Sequence, residues 1–461
     1  MAQALIISVS GLRGIIGENL TAAIATDYGC AFGSYLRSSG DDSQKRLSVC
    51  LGRDSRPSGP MIQAAVTAGL CSVGIDVTDL GIVTTPCVGI MLRELACDGG
   101  VVITASHNPI QYNGVKLLLS DGIAPPAEVA AEIKARFQNK DFSLQGSAQC
   151  GRRFDNDQAD PIHIDRVLAI VRPAEIATKR FKVVLDSVNG AGGRIGLRLL
   201  EALGCEVIPV NGEPTGFFAH EPEPTEANLQ SLCDIVRRER AVIGFAQDPD
   251  ADRIAIVDEN GRYLGEEYTL ALAAKYVLGT EGGSTAANLS TSRMLDDIAE
   301  QAGVTVIRTP VGEAYVAKAM LEHQCVVGGE GNGGIIDLRV GPIRDSLVAM
   351  ALVLQLMATE NQTVGQLADQ IGGYAMLKEK FSATSEQADR IIEEAKALFP
   401  DAKVNTSDGC RFDFSNSWIH LRLSNTEPVM RVIVEAPDQA AAEDYARQVG
   451  TLRDQVLGQV T

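Results

Sequence analysis

Short runs of β-branched and aliphatic residues alternate along the chain with longer stretches whose apolar positions recur at helical spacing. That alternation predicts α/β units with largely parallel strands. Residues 47–51, 76–80 and 100–103 read as strands, and 60–73 as a helix that Ser58 could cap and Pro60 could open. A polar stretch from 141 to 160, with little periodicity, marks a first boundary. The alternation then returns, with strands at 182–186, 206–210 and 241–246 and helices at 194–203 and 229–238. A third unit starts near Gly261, with strand candidates at 284–289, 304–308 and 325–329. The C-terminal part differs. A helix over 384–398 precedes strand patterns at 411–413, 418–423 and 429–435, and another helix follows from Asp438. That order predicts a smaller α+β domain with an antiparallel sheet.

Composition narrows the function classes. A chain of 461 residues is too long for one ordinary domain, and 45% hydrophobic with 22% charged residues predicts packed cores throughout. The formal net charge of −18 disfavours nucleic acid and anionic membranes as partners, so an anionic substrate needs basic groups gathered locally. No segment has the apolar length of a membrane span, and the N-terminal residues lack the basic region of a signal peptide. Ten scattered cysteines without a Cys-x-x-Cys pair read as reduced thiols, which points to the cytoplasm. No apolar stripe declares an oligomeric interface.

Four loops carry the chemistry. Thr104-Ala105-Ser106-His107-Asn108-Pro109 directly follows an apolar strand, the end at which α/β folds place their sites. Pro109 bars Asn108 from helical geometry and keeps the turn sharp, so the Ser106 hydroxyl projects and can hold a phosphoryl ester. Gln247-Asp248-Pro249-Asp250-Ala251-Asp252-Arg253 also follows a strand. In an extended loop Asp248, Asp250 and Asp252 point the same way, and three converging carboxylates call for a cation such as Mg²⁺ or Mn²⁺. A phosphoserine oxygen from Ser106 could be its fourth ligand. Arg422-Leu423-Ser424-Asn425-Thr426-Glu427-Pro428, with Arg431, lies between two strands and has the hydroxyls, amides and arginines of an anion clamp. In Ser10-Gly11-Leu12-Arg13-Gly14 the glycines let the backbone approach a ligand that Arg13 reaches.

Together, in this order from Ser10 to Arg431, these loops resemble the α-D-phosphohexomutase superfamily, which includes phosphoglucomutases, phosphomannomutases and phosphoglucosamine mutases. The resemblance implies four domains around a central cleft, three similar α/β mixed-sheet domains and a smaller C-terminal α+β domain. The boundaries expected are 1–155, 156–258, 259–372 and 373–461. It also implies that phosphoserine Ser106 gives its phosphoryl group to a hexose phosphate, and that the bound bisphosphate reorients and returns the other phosphate. Ser106, Asp248, Asp250 and Asp252 match the family's ligands for one Mg²⁺, and Arg253 should touch the phosphoserine. Lys116, in Tyr112-Asn113-Gly114-Val115-Lys116, matches a lysine implicated in acid–base work, for which a lowered pKa would suit it. His107 could orient the phosphoryl group or a proton. The segment 52–59 is expected to buttress the Ser106 loop.

The sugar-reading run is Gly329-Glu330-Gly331-Asn332-Gly333-Gly334 rather than the commoner Gly-Glu-x-Ser-Gly-His. Glu330 can accept bonds from two sugar hydroxyls, and Asn332 can replace the serine. Gly334 stands where relatives often carry a histidine, which leaves Lys116 or Arg13 more of the proton work. Thr309-Pro310-Val311-Gly312, and the residues after it, resemble the Val-Gly-Asp-Arg-Tyr-Val stretch of phosphoglucosamine mutases, so Thr309, Val311 and Gly312 join the expected substrate-binding set. That favours glucosamine 6-phosphate as substrate, with phosphomannomutase or phosphoglucomutase as the alternative. A non-catalytic sugar-phosphate binding protein is the remote one.

Overall fold

The computed structural model describes residues 5–9, 11–39, 46–423 and 429–458. Its strands form four sheets. The first contains β1 (Ile6–Ser8), β2 (Gly11–Ile15), β3 (Ser48–Arg53), β4 (Asp76–Ile82), β5 (Gly99–Ile103), β6 (Tyr112–Leu119) and β7 (Arg153–Asp155), in the order β1-β2-β6-β5-β3-β4-β7. The second holds β8 (Lys182–Asp186), β9 (Glu206–Val210), β10 (Ile243–Gln247) and β11 (Ile254–Asp258), ordered β11-β10-β8-β9. The third holds β12 (Thr285–Asn288), β13 (Val306–Thr309), β14 (Val327–Glu330) and β15 (Gly334–Ile336), ordered β13-β12-β14-β15.

One arrangement recurs in all three. The hairpins β5–β6, β10–β11 and β14–β15 are antiparallel, and the first strand of each lies parallel to β3, β8 or β12 on its other side. Mixed sheets thus replace the largely parallel ones that the pattern alone predicts. β5, β10 and β14 are buried along their whole length, as strands flanked on both faces must be. The loop inside each hairpin leaves the carboxyl end of that buried strand, and these three loops carry Ser106, the aspartates and residues 331–333.

Three local expectations change. Gly11–Ile15 is strand β2 rather than a turn, since it pairs with β1 and β6, and Gly11, at φ 99°, is needed there because a Cβ would lie 2.1 Å from the Val115 carbonyl. Ser58 does not cap the helix Gly59–Ser72; its hydroxyl accepts Asn113 Nδ2 at 2.9 Å instead. The polar stretch after 141 also yields a strand, β7, which extends the first sheet beside β4.

The fourth sheet, β16 (Ala375–Ser382), β17 (Lys403–Asn405), β18 (Cys410–Asp413), β19 (Trp418–Leu423) and β20 (Val429–Ala436), is wholly antiparallel in the order β16-β20-β19-β18-β17. Its core around Phe412, Ile419 and Val434 is separate. The other units share one apolar cluster that runs from Val88 and Leu92 through Leu199 and Phe245 to Leu272 and Val353. Helix Ser346–Glu360 is apolar on all sides because it is buried within that cluster. Among the described residues no single helix is long and apolar enough to cross a membrane.

Candidate active site

Ser106 is buried, with its backbone in the left-handed region at φ 49°. A serine gains nothing locally from that conformation, which costs on the order of 1 kcal/mol, so its surroundings impose it. Thr104 Oγ1 accepts the Ser106 N–H at 2.8 Å and donates to Asp54 Oδ2 at 2.7 Å. Arg56, wholly buried, donates to the carbonyls of Ser106 and Asn108 at 2.6 Å each, Pro109 at 2.8 Å and Tyr112 at 3.0 Å. Its Nε donates to Asp54 Oδ2 at 3.0 Å. Arg53 points elsewhere, to Gln63 and the Asp54 carbonyl.

The three aspartates converge, with ligand oxygens all within 4.8 Å of one another, and all three are buried. They do so through a turn, not an extended loop. Ala251 adopts φ 54° and donates to the Asp248 carbonyl at 3.0 Å, which folds the side chains together. The turn is braced from outside, since Ala191 N donates to the Pro249 carbonyl at 2.8 Å and Thr85 N to that of Asp250 at 2.9 Å.

Ser106 Oγ donates to Asp248 Oδ2 at 2.9 Å, joining the first loop to the second. Asp250 Oδ2 accepts Thr85 Oγ1 at 2.6 Å and Lys116 Nζ at 2.7 Å. Asp252 Oδ2 accepts Arg344 Nη2 at 2.7 Å and Lys116 Nζ at 3.4 Å. The remaining oxygens, Asp250 Oδ1 and Asp252 Oδ1, are buried without a hydrogen-bond partner. Orphaned carboxylate oxygens beside a third carboxylate fit a hard divalent cation. Arg253 stands against Asp248 and Asp252 at 3.5 and 3.8 Å, and its Nε and Nη2 are likewise buried without hydrogen-bond acceptors. Arg13 reaches the Ser106 loop, donating to Asn108 Oδ1 at 3.0 Å.

Charge in this cluster is unevenly shared. Burial, and then repulsion by Asp250 and Asp252, push Asp248 well above the usual carboxylate range. Burial alone would depress Lys116, but Asp250 and Asp252 outweigh it and hold the ammonium above its ordinary value. The lowered pKa expected of a lysine proton shuttle is therefore not what this pairing produces. His107, 3.4 Å from Ser106 Oγ, is held below its ordinary value by burial and by Arg253 and Arg13, so it is neutral near pH 7. With Asp248 held above the usual carboxylate range, protonation competes with a cation for the triad. Mn²⁺ affinity, measured by calorimetry in buffers of different ionisation enthalpy, should rise with pH by up to about tenfold per unit, with proton release. Binding that is independent of pH and releases no proton would contradict this charge distribution.

Glu330, at the end of β14, is held by four donors: Asn288 Nδ2 at 2.7 Å and Gly312 N at 3.2 Å on Oε1, Arg344 Nη1 at 2.7 Å and Asn332 Nδ2 at 3.4 Å on Oε2. These fill a carboxylate's ordinary acceptor sites, so any hydroxyl that Glu330 is to accept would have to replace one of the longer bonds. Asn332 Oδ1 is buried and unpaired. Thr309 Oγ1 donates only to its neighbour's carbonyl, at 2.9 Å. Val311 N donates to Asp408 Oδ2 at 3.0 Å, and that same oxygen is 3.1 Å from Arg422 Nε. Asp408 thus ties the 309–312 loop to the C-terminal sheet. Arg422 pairs across the ladder with Arg431, which pairs in turn with Lys380, a row of like charges with Asp408 beside Arg422. Ser10, Ser424, Asn425 and Thr426 lie outside the described residues.

Arg344, Asp408 and Thr85 carry no signal in the sequence, whereas Asp54 lies in the 52–59 segment expected to buttress the Ser106 loop and does so through Thr104 and Arg56. The partners of Arg344 lie 14, 31 and 92 residues away, and no local spacing signals such contacts.

Four domain models match the chain in order. They are phosphoglucomutase/phosphomannomutase alpha/beta/alpha domain I over residues 5–144, domain II over 161–261, domain III over 266–374 and the C-terminal domain over 380–451. A Thermococcus kodakarensis protein named phosphoglucomutase/phosphomannomutase is 38% identical over 440 residues, covering 94% of this chain and 95% of its own. A Methanopyrus kandleri protein named probable phosphoglucosamine mutase is 34% identical over 439 residues, 94% of each chain. Among solved structures, a phosphoglucomutase/phosphomannomutase family protein from Burkholderia thailandensis superposes with a TM-score of 0.87 at 28% identity, covering 99% of this chain and 98% of that one. The chain therefore belongs to the phosphoglucomutase/phosphomannomutase family of the α-D-phosphohexomutase superfamily, and it is an isomerase that moves phosphate between positions of a hexose phosphate.

Proposed function

We propose that this mutase works through a phosphoryl ester on Ser106 and converts glucosamine 6-phosphate to glucosamine 1-phosphate. The observation that carries the mechanism is the seat of Ser106. Its Oγ bonds Asp248, and beside that carboxylate Arg253 holds two buried donors without acceptors, which phosphoryl oxygens would satisfy. Asp248, Asp250 and Asp252, with the Ser106 ester, would hold one Mg²⁺ or Mn²⁺, which when bound withdraws charge from the transferring group. Lys116 adds a fixed positive charge at the same place, which favours charge compensation over proton shuttling as its role. In each half-reaction the accepting oxygen loses a proton and the oxygen left behind gains one, so the net change is zero. Arg422 and Arg431 would hold the phosphate that is not transferring, and the bisphosphate intermediate would turn between them and Ser106. Ten free cysteines suit a reducing cytoplasm.

Glucosamine is favoured by the 309–316 stretch and by the name of the Methanopyrus relative. The Thermococcus relative's name supports the second reading, a mannose or glucose phosphate. Comparing kcat/KM on glucosamine, mannose and glucose 6-phosphates should show a preference of about tenfold or more for the amino sugar. A clear preference for either of the other sugars overturns that choice.

A further inference from the structure

We infer that Arg344 is a positioning residue that couples the cation-holding aspartates to the sugar-reading glutamate, and that Gly334 is the clearance that admits it. This rests on the reading of the aspartates and Glu330 given above.

The backbone at 344 is fixed on both sides. Its own N–H donates to Glu313 Oε1 at 2.7 Å. The next residue, Asp345, caps helix Ser346–Glu360 through Leu347 N at 2.8 Å, donates its N–H to the Ile335 carbonyl at 2.8 Å and meets buried His163 Nε2 at 2.6 Å. From that anchor the guanidinium reaches carboxylates of three different segments: Nη2 to Asp252 Oδ2 at 2.7 Å, Nη1 to Glu330 Oε2 at 2.7 Å, and Nε 3.5 Å from Glu313 Oε2. Only a planar fork spans two carboxylates in this way, which a lysine point charge does not.

Two consequences follow from the geometry. With Asp252 Oδ2 engaged by Arg344 at 2.7 Å and more loosely by Lys116 at 3.4 Å, Oδ1 is the oxygen left without a hydrogen bond, so Arg344 helps to select which atom faces a cation. The same fork fixes one edge of Glu330, so displacement of either carboxylate is felt by the other. Gly334 explains how the fork fits. A Cβ there would lie 2.2 Å from Arg344 Cδ and 2.9 Å from Cγ. Gly334 is not among the positive-φ residues, so the requirement is for space and not for backbone freedom. Any side chain at 334 expels Arg344 from this pose.

The test uses the full-length enzyme. Mn²⁺ binding to unphosphorylated protein without sugar is measured by calorimetry, and KM and kcat are measured with sugar phosphate. Arg344→Gln should weaken Mn²⁺ binding about tenfold or more and also raise KM for the sugar phosphate. Gly334→Ala, which itself removes no charge and no hydrogen-bonding group, should reproduce both effects. The double variant should be no worse than the more affected single one, because both remove the same contact. Unchanged Mn²⁺ affinity in Arg344→Gln, or additive effects of the two substitutions, would overturn the coupling. Asp250→Asn separates this from the underlying reading. If it too leaves Mn²⁺ binding intact, the aspartate site itself is wrong and the inference falls with it. If it abolishes binding while Arg344→Gln does not, only the coupling is lost.

Discussion

Ser106→Ala is expected to lower turnover on the order of 10⁴-fold or more, because in the proposed mechanism it removes the atom that forms and breaks the phosphoryl bond rather than one that assists it. The structural cost should be small by comparison. Ser106 Oγ makes one close bond, to Asp248, and the loop is held by Arg56 and Thr104 through backbone atoms that the substitution leaves in place. Ser106→Gly serves as a second variant, since glycine adopts the observed φ of 49° without strain. Both variants should keep Mn²⁺ binding within about tenfold and wild-type unfolding midpoints within a few degrees. Intact-mass measurement after incubation with hexose bisphosphate should show a phosphoryl adduct on the wild type and on neither variant. Wild-type turnover in Ser106→Ala would end the phosphoserine mechanism.

The sequence made the position of Ser106 legible because a wholly apolar strand, a sharp turn and Pro109 stand next to one another. The strands at 182–186, 206–210 and 418–423 were legible for the same reason, since their apolar runs end at clear turn residues. β6 was not. Its start, Tyr-Asn-Gly, has the composition of a turn and Lys116 interrupts the apolar run that follows, and it is a strand because β2 and β5 pair with it on both sides. β7 is exposed throughout and is held by backbone bonds to β4, which leave no side-chain pattern to read. The aspartate spacing pointed to convergence for the wrong reason. The i, i+2, i+4 rule needs extended backbone, whereas the turn at Ala251 brings the carboxylates together. Gly334 was visible as a departure from the commoner motif. Its cause, Arg344 filling the space, depends on residues that approach only when the third unit folds.

Arg56→Met should cost about 3–5 kcal/mol of stability, the usual result of breaking a buried ion pair from one side. Methionine keeps much of the aliphatic volume, including packing toward the Phe218 ring, which the guanidinium faces at 4.9 Å. It leaves four carbonyls of the Ser106 loop without their donor and Asp54 without its counter-charge. The pH dependence identifies the cause. Burial already pushes Asp54 above its ordinary value, against the opposing pull of Arg56. Without Arg56 the folded-state value rises further, so the folded variant binds a proton that the unfolded chain does not. Stability in the variant is then lost as pH rises from the ordinary aspartate range through that raised value, and its deficit against wild type narrows on acidification. Denaturant unfolding at neutral and acidic pH measures both quantities. Adding Asp54→Asn should recover part of the neutral-pH loss, because the unpaired charge is gone while the carbonyls remain unsatisfied. A deficit below about 1 kcal/mol, or one that is equal at both pH values, would show that Arg56 holds the Ser106 loop by packing alone.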